Sequence, residues 1–220
     1  IDVLGMTAVR QAARAARETG TRLMVHIGDQ RSPASPRAAG LTREMLGVLA
    51  PGDILTHMCT ARQGSVLDAE GRAIPELLEA KSRGVVLDSA QGRTNFSFRS
   101  ARLLMDQGIL PDTISSDITG GGRTWIVYSL TECMSKFLAL GLSIPQVVRM
   151  ATANPAAALG MSRQLGSLAV GREADLSILQ AVHGQWEFQD SFGDTLPGEQ
   201  ALAPVATVRA GSLVMPDWGP

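Results

Sequence analysis

The chain has 220 residues, 45% of them hydrophobic and 19% charged, and a net charge of −1. Those proportions exclude a disordered chain, and no apolar run approaches the roughly 18 residues that span a bilayer. The near-neutral balance lacks the clustered positive field that nucleic acid or an anionic membrane surface requires, which leaves a small molecule or another subunit, as in a homo-oligomer, as the expected partner.

Residues 6–19 are Ala-rich, with Val9, Ala12, Ala13 and Ala16 at helical spacing and Gly20 as a stop, which predicts a helix. Residues 22–28 (RLMVHIG) have strand length, and a polar, Pro-containing loop over 29–40 leads to a short helix at 41–49, stopped by Pro51-Gly52. Residues 53–58 (DILTHM) are again strand-like. Pro75 opens the helix PELLEAKSRG in the favoured first-turn position and Gly84 closes it. A third strand at 85–90, a helix at 95–107 and a fourth strand at 112–117 (DTISSD) follow. Strand starts near Leu23, Ile54, Val85 and Thr113 repeat at about 30 residues, the size of a βα unit in a parallel sheet. A doubly wound sheet or a barrel follows. After Gly120-Gly121-Gly122, helices are predicted at 129–140 and 145–153. From Gly166 onward, short β-type segments, SLAV, ADLSIL, QWEFQ and ATVRAGSLVM, predict a small antiparallel unit, so the chain divides at 1–162 and 163–220.

His26 and His57 lie near the ends of consecutive predicted strands, and Asp117 ends the fourth in the same way. In parallel α/β architectures the carboxyl ends of the strands converge on the ligand site, so these three side chains are candidate metal ligands. Zn²⁺ takes neutral imidazole nitrogen and carboxylate oxygen; it lowers the pKa of bound water to about 7 and polarises a carbonyl. Asp117 could accept the water proton and return it to the leaving group, so hydrolysis of an amide, ester or cyclic imide is the natural outcome. The bland alternative is that each histidine is a satisfied core or surface residue. Asp53 and Asp88 read as strand-end caps, Cys59 as a small packed residue, His183 as a solvated loop residue, and the three glycines as a substrate loop. Two cysteines, Cys59 and Cys133, and no signal peptide point to a reducing cytoplasm.

The ordered series LMVHIGD, PGDILTHMCT, RGVVLDSAQGRTNFSF, LPDTISSDITGGG, MSKFLALGLS and ATANPAAALGMSRQLGSLAVGREADLSIL resembles the amidohydrolase superfamily, in its dihydroorotase-like deacetylase branch. The resemblance implies an α/β fold, the C-terminal half of a (β/α)₈ TIM barrel carrying strands five to eight, with a small appended β-sandwich portion. It implies a metal-dependent hydrolase with two divalent ions, His26 and His57 serving the more exposed metal and Asp117 the more buried one while shuttling protons. Relatives in this branch often carry a histidine after the third strand's aspartate; here Gln91 stands in Asp88-Ser89-Ala90-Gln91-Gly92, able to orient a substrate but not to titrate. The family's His-x-His pair and bridging lysine have no counterpart, since the only lysines, Lys81 and Lys136, fall in predicted helices. The chain also opens with Ile1. It is therefore expected to be the C-terminal portion of a longer enzyme, completed by the upstream half of the barrel. The rivals are a non-catalytic scaffold or ligand-binding chain, and a single-metal deaminase or lyase.

Overall fold

The computed structural model describes residues 5–29 and 35–214. Residues 30–34 of the predicted loop and Met215 of the last β-type segment lie outside them. Helix α1 (Met6–Thr19) forms as predicted, with Met6, Val9, Ala13 and Ala16 buried along one face, and Gly20 ends it in the left-handed conformation that glycine adopts freely. Then come β1 (Met24–His26), α2 (Ala38–Val48), β2 (Ile54–Thr56), α3 (Pro75–Ser82), β3 (Val86–Asp88) and α4 (Phe98–Asp106). The three strands lie side by side in chain order, all parallel, with His26, Thr56 and Asp88 in one row. Leu55 and Leu87 in the middle row are fully buried, each contributing about 2 kcal/mol.

The predicted fourth strand is reduced to a single parallel bridge between Thr113 and Asp88. The Ser89, Gln91 and Gly92 N–H groups still donate to the Thr113, Ser115 and Ser116 carbonyls. Among the described residues no strand pairs with the far edge of this segment, and the Ile114 N–H donates to the Met150 carbonyl instead (2.9 Å), so the ladder does not repeat.

Helices α5 (Leu130–Ala139), α6 (Ile144–Ala151) and α7 (Ala153–Ala158) follow, the Ser129 hydroxyl capping α5 by accepting from the Glu132 N–H. The chain then forms an antiparallel sheet of β4 (Leu176–Gln189), β5 (Thr195–Arg209) and β6 (Ser212–Val214). The antiparallel character is as predicted and the segmentation is not. Residues 167–170 are not a strand, ADLSIL and QWEFQ join in one long β4, His183 lies within that strand, and β5 runs through Pro197-Gly198 and Pro204. Pro204 sits beside a register shift opposite Ile178 and Leu179, which spares the ladder a donor. Gly198 is where the Phe188 ring crosses: a Cβ there would lie 2.7 Å from the ring. Among the described residues no second sheet stacks on this one; it lies on α5, with the Leu202 N–H donating to the Ser135 hydroxyl (2.9 Å). One apolar core joins Leu87, Phe96 and Phe137 to Phe188 and Leu202 across both sheets. No helix among the described residues is long and apolar enough to cross a membrane.

Candidate metal centre

His26 is the last residue of β1, and His57 follows β2 directly, so the parallel register sets the two rings next to each other, centroids 4.3 Å apart and edge-on. His57 is buried. Its Nδ1–H donates to the Ala90 carbonyl (2.6 Å), because a carbonyl only accepts, which leaves Nε2 as the ring nitrogen turned to the site. That Nε2 lies 3.9 Å from Asp117 Oδ2. His57 and Asp117 both have positive φ, 66° and 48°; among the described non-glycine residues Ala210 alone shares this, in the turn between β5 and β6. Backbone strain at two of the three candidate ligands is a cost that surrounding structure must sustain, a pattern concentrated at functional sites.

The electrostatics suit a ligand role. Desolvation and the neighbouring His57 hold His26 below the ordinary histidine value, against the opposing pull of its hydrogen bond with the Gly28 backbone and of the Asp117 charge, so the ring is neutral at pH 7. Gly92, with φ 57°, makes room for Asp117: a Cβ there would collide with Oδ2. Two imidazoles and a carboxylate match the nitrogen and oxygen donors a divalent cation such as Zn²⁺ prefers. As placed, the three do not by themselves form a metal-holding set: among the described residues no group of three or more His, Cys, Asp or Glu is arranged to hold a metal ion.

Gln91 is not brought to this mouth. It is fully buried, and its Nε2 donates to the Cys133 carbonyl (3.0 Å), bracing the loop against α5 from inside. Asp88 accepts from the Thr56, Thr113 and Ser115 hydroxyls (2.8, 2.6 and 2.8 Å), which ties three segments behind the site. Asp53 caps the other end of the sheet, accepting from the Leu23 and Ala50 N–H groups and paired with Arg17. Burial and nearby Asp88 push the Cys59 thiol up to about 12, so it is a packed residue and not a nucleophile. Lys81 and Lys136 lie in α3 and α5; Lys136 is buried, donating to the Ile126 carbonyl and paired with Glu132. Ala90 and Gly92 escape sequence reasoning, although a glycine placed just after a strand end is a signal for close backbone approach.

Over residues 4–207 the sequence matches the amidohydrolase family. The chain belongs to the amidohydrolase family. The chain is 32% identical over 190 residues to a deacetylase of Brucella anthropi, covering 86% of its own length and 45% of the relative's. It is 30% identical over 193 residues to a deacetylase of Enterococcus faecalis, covering 87% and 50%. Its structure is similar to that of an adenine deaminase, with a TM-score of 0.89 at 28% identity over 96% of this chain and 56% of that one. For a dihydroorotase the values are 0.81, 29%, 96% and 54%. The α/β fold is thus similar to that of TIM-barrel amidohydrolases, and the chain spans about half the length of the relatives it matches.

Proposed function

We propose that the chain supplies strands five to eight of a (β/α)₈ barrel in a divalent-metal-dependent hydrolase, with residues 1–162 in the barrel and 163–220 in β-sandwich strands. The complete enzyme cleaves an amide, ester or cyclic amide bond in a small molecule. One observation carries this: His26, His57 and Asp117 gather at the carboxyl end of a parallel sheet, 4.3 Å between the rings and 3.9 Å from Nε2 to Oδ2. His26 and His57 would hold the more exposed cation and Asp117 the more buried one, with zinc the metal this donor set favours. A cation bound there would polarise the scissile carbonyl and activate the attacking water.

The chain's own residues do the rest. Asp117 Oδ2 takes the proton of the attacking water and returns it to the leaving nitrogen or oxygen. The Ala90 carbonyl fixes the His57 ring and tautomer from behind. Gln91 serves the substrate indirectly, through the loop it braces. The missing ligands, a His-x-His pair and a strand-borne lysine, belong to the upstream half of the barrel.

Deacetylase relatives and a dihydroorotase neighbour support the bond classes named. A single-metal deaminase is the second reading, favoured by the TM-score of 0.89 to an adenine deaminase. Metal analysis of the complete protein separates them: two equivalents accord with the hydrolase, one with the deaminase, and none under metal-replete conditions with a scaffold. In that protein Asp117→Asn is expected to lower turnover about a thousandfold with an unchanged circular dichroism spectrum. Undiminished turnover would mean that another group handles the proton.

A further inference from the structure

The loop between β3 and α4 carries both ends of the site. Its Ala90 carbonyl holds His57, and its Gly92 abuts Asp117 and donates to the Ser116 carbonyl (2.9 Å). Gln91 Nε2 braces the loop on α5, but Ser89 Oγ, Gln91 Oε1 and Asn95 Oδ1 are buried without partners. Further bonds reach it from the tip of the β4–β5 hairpin. Asp190 Oδ2 accepts from the Phe98 N–H (2.9 Å), and the Ser191 N–H donates to the Phe96 carbonyl (2.9 Å). The Ser191 hydroxyl donates to the Gly92 carbonyl and accepts from the Phe96 N–H, each at 3.3 Å. Phe192 lies 5.8 Å from the guanidinium of Arg62, whose Nε–H donates to the Thr94 carbonyl (2.8 Å).

Asp190 divides its two oxygens between two tasks. Oδ1 closes the hairpin turn by accepting from the Phe192 and Asp194 N–H groups (2.8 and 3.0 Å), while Oδ2 reaches the loop. Asn would make such a turn as well, so a buried carboxyl group with two acceptor oxygens, 1% exposed, is accounted for by the second acceptor that Phe98 requires.

We infer that the hairpin tip is a strap on the site-bearing loop, and that Asp190 is a positioning residue for His57 and Asp117. The inference rests on the metal-ligand reading above. Asp190→Asn separates the two tasks: its remaining oxygen keeps the turn and its NH₂ meets the Phe98 N–H, donor against donor. In the complete protein this variant is expected to lose about tenfold in kcat with little change in KM, and about tenfold in Zn²⁺ affinity by competition with a chelating dye. Amide hydrogen exchange at Gln91, Gly92 and Phe98 should quicken about tenfold while β4 and β5 keep their protection. Ser191→Ala should reproduce the effect in milder form and serves if Asp190→Asn does not fold. Asp175→Asn, at the far end of the hairpin where Asp175 accepts from the Ala210 N–H, should leave all three readouts unchanged. Unaltered exchange in the loop, or equal losses in Asp175→Asn, overturns the strap. If the unsubstituted protein binds no Zn²⁺, the metal reading fails and the strap is judged on loop exchange alone.

Discussion

Gly92 and the Asp117 carboxylate share a space that admits no methyl group, and the backbone at Gly92 is left-handed. Gly92→Ala is therefore expected to destabilise the fold by about 1–2 kcal/mol and to displace Asp117, weakening Zn²⁺ binding about tenfold. Urea midpoints and a metal titration check both; unchanged affinity would show that this contact does not place Asp117. Cys59 gives the opposite expectation. With its thiol pushed up to about 12 inside the core, it should resist iodoacetamide at pH 8 in the native state, and alkylation visible by mass spectrometry would contradict its burial. His26 and His57 are legible as neighbours in the sequence because each lies at the carboxyl end of its strand, one residue apart in register. Gly92 is not, because the group it accommodates lies on a different segment and only the fold sets them together. Gln91 shows the reverse: its place in a motif says nothing of a side chain that turns inward to Cys133.

At the level of elements, Asp53 joins the end of α1 to the starts of β1 and β2. Burial pushes its carboxyl up, but hydrogen bonds from Arg17 and from the Ala50 and Leu23 N–H groups outweigh that, so its folded value lies below the ordinary value of about 3.9. The stabilisation is complete above that unfolded value and is lost as pH falls through the lower folded one. Asp53→Asn should cost about 1–3 kcal/mol at pH 6 and less at pH 3, below the unfolded value, by urea unfolding at the two values. A difference independent of pH would place the effect elsewhere. Helices α1 to α6 and the three parallel strands are readable from apolar spacing and Gly or Pro stops, whereas the short α7 is not. Strand β5 is not, because Pro197, Gly198 and Pro204 are breakers locally and are tolerated only through the Phe188 contact and a register shift set by its partner strand.

For the whole molecule, the parallel sheet has β1 at one edge, where Met24 is 53% exposed, and a single bridged segment beyond β3 at the other. Unpaired edges of this kind recruit other strands. Residues 1–220 expressed alone are expected to self-associate, and co-expression with the upstream half of the barrel should give a monodisperse species by light scattering. Stable monomers of the 220-residue chain would count against an open barrel. The βα repeat makes the first part of this architecture visible in advance, whereas the hairpin's return to the sheet is not, since Asp190 and Phe98 are 92 residues apart. That separation has an evolutionary corollary. A chimaera that exchanges the C-terminal segment with that of another family member cuts between Phe98 and Asp190 and inherits half of an interlock. Successful crossovers should therefore carry residues 89–98 and 190–194 together, as one heritable unit.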